Sequence, residues 1–190
     1  MRRGVGAVGS LAMTVMIPQI ETERLRLRGF RNEDHAAYAA FLADEQATRF
    51  IGGVRDADAA WRTMAAFCGH WQLRGYGPFA IEERATGTFV GYTGLWFPHG
   101  KPEREIMWGI VPNAQRKGYA SEAAKAARNY AYEQLGWSVA VSYIADDNAA
   151  SQGVAGKLGA ERDGRVDHQG WQLDVWRHPA ATASRPGQAA

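Results

Sequence analysis

Residues Arg24 to Arg28 alternate strictly between polar and apolar (RLRLR), which predicts a half-buried β-strand with Leu25 and Leu27 turned inward. Asn32 then stands where a helix over Glu33 to Ala43 would begin. From Ala59 to Leu73 the period lengthens. Trp61, Met64, Ala65, Cys68 and Trp71 fall at helical spacing on one face, and Gly75 supplies the stop. PFAIEERATGTFVGYTGLWF reads as two strands joined at Ala85-Thr86-Gly87, and REIMWGIV as a further strand with Ile106 and Trp108 on one face. SEAAKAARNYAYEQL is built from good helix formers and ends at Gly136. WSVAVSYIA is β-branched and aromatic, hence a strand. Asn148 or Asp147 caps a shorter helix that ends at Leu158, with Gly159 behind it, and AERDGRV and WQLDVWRH read as a last strand pair. Meandering strands in front and strand-helix-strand-helix behind predict one mixed α/β domain.

Composition sharpens this picture only slightly. The 190 residues, 46% hydrophobic and with seven each of Trp, Tyr and Phe, suffice for one sizeable core. A net charge of +2, despite a pI near 8.8, argues against nucleic acid as a partner. The arginines of RLRLR are accordingly expected to be solvated. The single cysteine, Cys68, permits no internal disulfide, fits a reducing, cytoplasmic setting, and is expected in the core rather than as a nucleophile. No stretch approaches the roughly 20 apolar residues of a membrane span. Residues 1–19, diluted by glycines and with later Met13 and Met16, read as a loose extension, 20–178 as the domain, and the Ala/Pro/Gly/Ser-rich 179–190 as a flexible tail. The five histidines show no ligand spacing, so no metal is expected.

The chemistry concentrates in VPNAQRKGYASEAAK. A basic, glycine-bearing turn, Gln115-Arg116-Lys117-Gly118, precedes a helix whose first backbone N–H groups lack partners, an arrangement suited to an anion. Gly118 permits close approach and Ala120 keeps the first turn small. The sequence is neither a Walker A loop nor a G-x-G-x-x-G fingerprint. By itself such a turn is as readily a solvated basic connector.

A second constellation, DNAASQGVAGKLGAE, carries Asn148, Ser151 and Lys157-Leu158-Gly159. In order and combination these residues resemble the GCN5-related N-acetyltransferase (GNAT) family. Its Q/R-x-x-G-x-G/A signature is matched by Gln115-Arg116-Lys117-Gly118-Tyr119-Ala120. The likeness is nearer to the branch of the ribosomal-protein alanine and serine N-acetyltransferases (RimJ/RimL-like). That branch shares Thr22-Glu23-Arg24-Leu25-Arg26-Leu27-Arg28, the helix start Gly118-Tyr119-Ala120-Ser121-Glu122-Ala123, and Asn148, Ser151 with Lys157-Leu158-Gly159. The resemblance covers about residues 20 to 177.

The resemblance implies the acyl-CoA N-acyltransferase fold: a twisted, mostly antiparallel sheet with helices on both faces and two splayed central strands holding acetyl-CoA. It assigns the amides of Lys117 to Ser121 to the pyrophosphate and those around Ile110 to the thioester carbonyl. Asn148 falls to the pantetheine arm and Lys157 to the adenosine end. The implied reaction is direct attack of a primary amine on the thioester, and the branch allows a homodimer. Glu105 is a candidate base through water, or an ordinary strand-end charge, with Glu82, Glu83 and Glu103 as alternatives. The tyrosine that many members carry seven residues after the asparagine is Ala155 here; Ser151 is a candidate either to bond the sulfur or to cap the helix, and Tyr119 and Tyr143 are other possible acids. Trp96, Phe97 and His99 are expected to border the acceptor. A non-catalytic acyl-CoA-binding or sensing module is the alternative function.

Overall fold

The computed structural model describes residues 15–168 and 170–181. Strands β1 (Ile20–Glu21), β2 (Leu25–Arg28), β3 (Pro78–Glu83), β4 (Thr88–Trp96), β5 (Glu105–Ile110), β6 (Val141–Ala145), β7 (Glu161–His168) and β8 (Trp171–Arg177) form one sheet in the order β1-β2-β3-β4-β5-β6-β8-β7. The helices are α1 (His35–Ala43), α2 (Glu45–Thr48), α3 (Ala57–Arg74), α4 (Tyr119–Glu133) and α5 (Ala149–Lys157). Neighbouring strands run antiparallel except β5 and β6, which are parallel and share a single registered pair, Glu105 with Val141. Beyond that pair the strands part. This is the expected α+β sheet with splayed centre strands.

The alternation of β2 buries Leu25 and Leu27 completely, in the same apolar cluster as Phe79, Ile81 and the alanine face of α4. Ala123, Ala124, Ala127 and Ala131 are fully buried on that helix, and their small side chains let α4 approach the sheet closely. On the opposite face α1 and α3 pack Tyr38, Phe41, Leu42, Met64 and Phe67 against Ala80, Phe89 and Tyr92. Val15 and Ile17, counted above with the extension, pack against the α4-side cluster.

Four local expectations need correction. α3 buries Ala60, Met64, Phe67, His70 and Trp71, a face rotated from the expected one, so Trp61, Ala65 and Cys68 are exposed. Alanines on both sides of that helix left its phase ambiguous. Asn32 does not cap α1. A short 3-10 turn over Asn32–Asp34 precedes the helix, and the Asp34 carboxylate accepts the Arg31 N–H at 2.8 Å. β6 begins at Val141 rather than Trp137, because Trp137 and Ala140 are drawn into the core under α4.

The β2 arginines are not merely solvated. Arg28 is 4% exposed and forks onto Asp34 at 2.8 Å while its Nε donates to Glu82 at 2.8 Å. Arg26 also binds Glu82, at 2.9 Å. These contacts, Arg28 first, hold the Glu82 carboxyl below its ordinary pKa.

At the last bonded rung between β5 and β6, Ser142 Oγ donates to the Ile106 carbonyl at 2.6 Å and therefore accepts from His178 Nε2 at 3.0 Å. His178 Nδ1 is buried without a partner. Burial, aided by the Arg128 charge, pushes the imidazole pKa down to about 4 from 6.5. The unfolded chain takes up this proton first as pH falls, so the stabilisation is intact above 6.5 and is lost as pH drops through the folded value near 4. The loss expected from this group is about 3 kcal/mol. Urea midpoints measured from pH 7 to 4 should fall more steeply for the native chain than for His178→Asn.

Candidate functional site

Where β5 and β6 separate, two cavities meet. The first, of about 520 Å³, is lined by Trp108, Gly109 and Ile110 of β5, by the turn and first residues of α4 (Gln115, Arg116 and Gly118 to Ser121), and by Asn148, Ser151 and Lys157. The second, of about 490 Å³, shares Trp108, Asn148 and Ser151, and runs along β5 to Glu105. Phe50 and Ile51, on the segment between α2 and α3, roof both.

In the first cavity the turn is shaped by backbone conformation. Arg116 has φ 63, the one non-glycine residue with positive φ among those described, and Gly118 has φ 84. Such strain outside glycine is kept where the site requires it. Gly118 is the N-cap of α4 without a side-chain cap, so the amides of Tyr119, Ala120 and Ser121 begin a 15-residue helix uncapped and its dipole faces the cavity. Arg116 and Lys157 are the charged groups lining this cavity, and no carboxylate lines it among the described residues. The Gln115 side chain turns back, donating Nε2 to the Ile110 carbonyl at 3.0 Å. Lys117 lies instead over the Tyr119 ring.

What steadies this turn comes from distant stretches of the chain. Glu122 in the first turn of α4 accepts from Thr22 Oγ1 at 2.6 Å, from the Arg24 amide at 2.9 Å and from Arg24 Nε at 2.7 Å. Arg24 also donates to the Lys117 carbonyl at 2.8 Å. The TxR opening of β2 is thus a brace that fixes the turn to the sheet edge. Gly118 lies against the same arginine: a Cβ there would come 3.3 Å from its guanidinium, so substitution at Gly118 would disturb the brace as well as the cavity.

Strand alternation aims the backbone at the seam. Ile106 turns its carbonyl toward Ser142 of β6, and Trp108 and Ile110 follow in phase, so their amides face the gap that β6 has left. Gly109, between them, leaves room for the Tyr92 ring, which an added Cβ would meet at 2.4 Å.

Asn148 is the cap of α5: its Oδ1 accepts the Ser151 N–H at 3.1 Å, leaving its Nδ2 group for a ligand. Ser151 lines both cavities, one turn into the helix. Ala155 is fully buried against Ile144 and Ala160, so that position is core, with no hydroxyl to offer. Tyr119 donates its hydroxyl to Glu83, away from the seam. Tyr143 lines the second cavity, accepts the Glu103 amide at 3.1 Å, and has its pKa pushed up to about 12 by burial.

Among the described residues Glu105 is the one carboxylate lining the second cavity. Burial raises its pKa, and Lys101, with Nζ at 2.6 Å, and the Tyr143 amide pull it back. The alternatives are committed elsewhere: Glu82 to Arg28 and Arg26, Glu83 to Tyr119 and Thr86, and Glu103 to a fork from Arg177 at 2.9 and 3.1 Å. Trp96 and His99 line this cavity. Phe97 does not: its amide donates to His70 Nε2 at 3.2 Å beside α3. Sequence reasoning missed Arg55, Tyr92, Lys101 and His168, which line the same space from four separate stretches of chain. No group of side chains suited to hold a metal ion occurs among the described residues, nor is any helix there long and apolar enough to cross a membrane.

Comparison with known proteins agrees with this geometry. The model of the acetyltransferase (GNAT) domain matches residues 24–161. The uncharacterized N-acetyltransferase YoaA of Bacillus subtilis (strain 168) is 30% identical over 152 residues, 78% of this chain and 86% of its own. The crystal structure of an acetyltransferase from Agrobacterium tumefaciens str. C58 is 32% identical, covers 85% of this chain and 94% of its own, and superposes with a TM-score of 0.78. RimL, a ribosomal L7/L12 alpha-N-protein acetyltransferase solved with coenzyme A, shares the fold at a TM-score of 0.70 and 17% identity, over 85% of this chain and 98% of its own. With the seam, the uncapped α4 and a family match spanning most of the sheet, the chain belongs to the GNAT acetyltransferase family.

Proposed function

We propose that the chain transfers the acetyl group of acetyl-CoA to a primary amine. The observation that carries this reading is the junction of the two cavities at Trp108, Asn148 and Ser151: among the described residues one side is cationic and free of carboxylates, and the other holds a single buried carboxylate. The diphosphate binds at the amides of Tyr119 to Ser121, with Arg116 beside it and Lys157 toward the adenosine end. The pantetheine arm lies in the gap, its amide groups meeting the backbone of β5 and Nδ2 of Asn148.

The Ile110 amide donates to the thioester oxygen as it gains charge, the kind of fixed donor worth several kcal/mol in an acyl-transfer transition state. The amine nitrogen attacks the carbonyl carbon, the C–S bond breaks, the acetamide forms, and the sulfur leaves as thiolate within reach of the Ser151 hydroxyl. The proton released by the amine goes to Glu105. That residue lies about 10 Å along the strand from Trp108, so transfer runs through water in the second cavity.

Thiol release from acetyl-CoA across peptides beginning with Ala, Ser or Thr, amino acids, polyamines and aminoglycosides tests the reading. Release with any amine supports it, and absence of acetyl-CoA binding overturns it. Arg116→Gly isolates the donor site: acetyl-CoA is expected to bind about 10-fold more weakly from loss of one charge-assisted contact. Because φ 63 suits glycine, the melting temperature should stay level or rise.

A further inference from the structure

The second cavity carries a cation with no counter-charge among the described residues. Arg55, half-buried on the segment that roofs the seam, lines it together with Tyr38 and Tyr92. One terminal nitrogen donates to the Ile51 carbonyl, while Nε is buried and without a partner. Arg55 enters no ion pair among the described residues, and the one carboxylate lining the cavity, Glu105, is already bound to Lys101. The two tyrosines supply no anion. Burial raises both hydroxyls, Tyr92 to about 12, so they stay neutral. Arg55 lines the same cavity as Trp108 and as Tyr92, whose ring lies over Gly109.

A buried donor left unpaired, as at Arg55 Nε, is costly, and a planar carboxylate fits a guanidinium fork through two parallel hydrogen bonds. Phe50, Phe67, Trp96, Trp108 and Trp171 provide apolar walls for the rest of such a molecule. With Arg55 and Lys101 against Glu105, the cavity carries surplus positive charge, which disfavours polyamines and aminoglycosides. We propose that the acceptor is a free amino acid with an apolar or aromatic side chain, its carboxylate held by Arg55 while its amine faces the seam. This rests on the acetyltransferase reading above and names the substrate class of that site.

The test compares L-phenylalanine with L-phenylalaninamide in the thiol-release assay. The amide is the better intrinsic nucleophile near neutral pH, since its amine loses a proton more easily, so a preference for the acid cannot come from reactivity. The native chain is expected to favour the acid on the order of 100-fold in kcat/KM, the scale of a charge-assisted fork. Arg55→Gln should erase that preference with acetyl-CoA affinity by calorimetry unchanged, and Arg55→Lys should restore part of it. Equal or better use of the amide by the native chain overturns the inference, as does silence toward the whole apolar amino-acid series with acetyl-CoA bound. Turnover of peptides or polyamines alone would sink this inference and leave the acetyltransferase reading intact. The comparison of acid with amide needs no variant, so a folding defect at Arg55 does not obscure it.

Discussion

Glu105→Gln is expected to lower kcat by about 100-fold or more with acetyl-CoA affinity unchanged, the usual worth of a positioned base. The amide is nearly isosteric and keeps an oxygen for Lys101, so packing at the start of β5 survives while the proposed proton acceptor is lost. A pH profile separates this from a structural role. Burial places the Glu105 carboxyl above the ordinary carboxylate range, so the native rate should climb with pH as that group ionises, and the climb should vanish in the variant. Lys101→Met removes a charge that favours the carboxylate, so the same climb should move to higher pH. A profile identical in all three proteins would remove Glu105 from the mechanism.

The second large effect is expected at Gly91. Its φ of 149 is poorly open to L side chains, and a Cβ there would lie 2.2 Å from the Gly109 carbonyl oxygen and 3.0 Å from Ile110 Cα. Both obstacles are backbone, so no rotamer change relieves them. Beside Gly91 the register of β3 and β4 shifts, Ile81 facing Gly91 and Glu82 facing Phe89, so β4 carries an extra residue at Val90. Gly91→Ala should therefore cost about 4 kcal/mol, combining overpacking with backbone strain, read as a lower urea midpoint. Because the displaced residues bear the amide proposed to meet the thioester, whatever fraction still folds should also turn over more slowly. Gly87→Ala is the control: that glycine has φ 70 but open space around it, so it should lose only the strain part.

Much of the fold was legible because its signals are local. RLRLR, the two-strand stretch around Gly87, and the helix stops at Gly75, Gly136 and Gly159 each state their geometry within a few residues, and the glycines do adopt positive φ. α3 was misphased because alanines on every side blur its apolar stripe, and only contact with Phe89 and Tyr92 decides that Phe67 faces inward. The first cavity was equally readable, since residues within Gln115 to Ser121 and Asn148 to Lys157 border it from two short stretches of chain, Lys117 apart. The second was not. Arg55, Tyr92, Lys101 and His168 stand far apart in the chain and meet only through the sheet order, and the role of Arg24 depends on Glu122, 98 residues away. Burial of Arg28 was likewise invisible, because alternation tells which face a side chain takes and not what covers that face.

The single registered pair between β5 and β6 divides the sheet into a five-stranded and a three-stranded part whose hydrogen-bond ladder stops short. A molecule threaded into the gap, with amides and carbonyls spaced along its length, would act as a surrogate strand and supply rungs that the polypeptide leaves out. Occupancy and mechanical integrity then become one property: the loaded protein resists opening along this line by RT ln(1 + [L]/Kd), and the empty one yields there first.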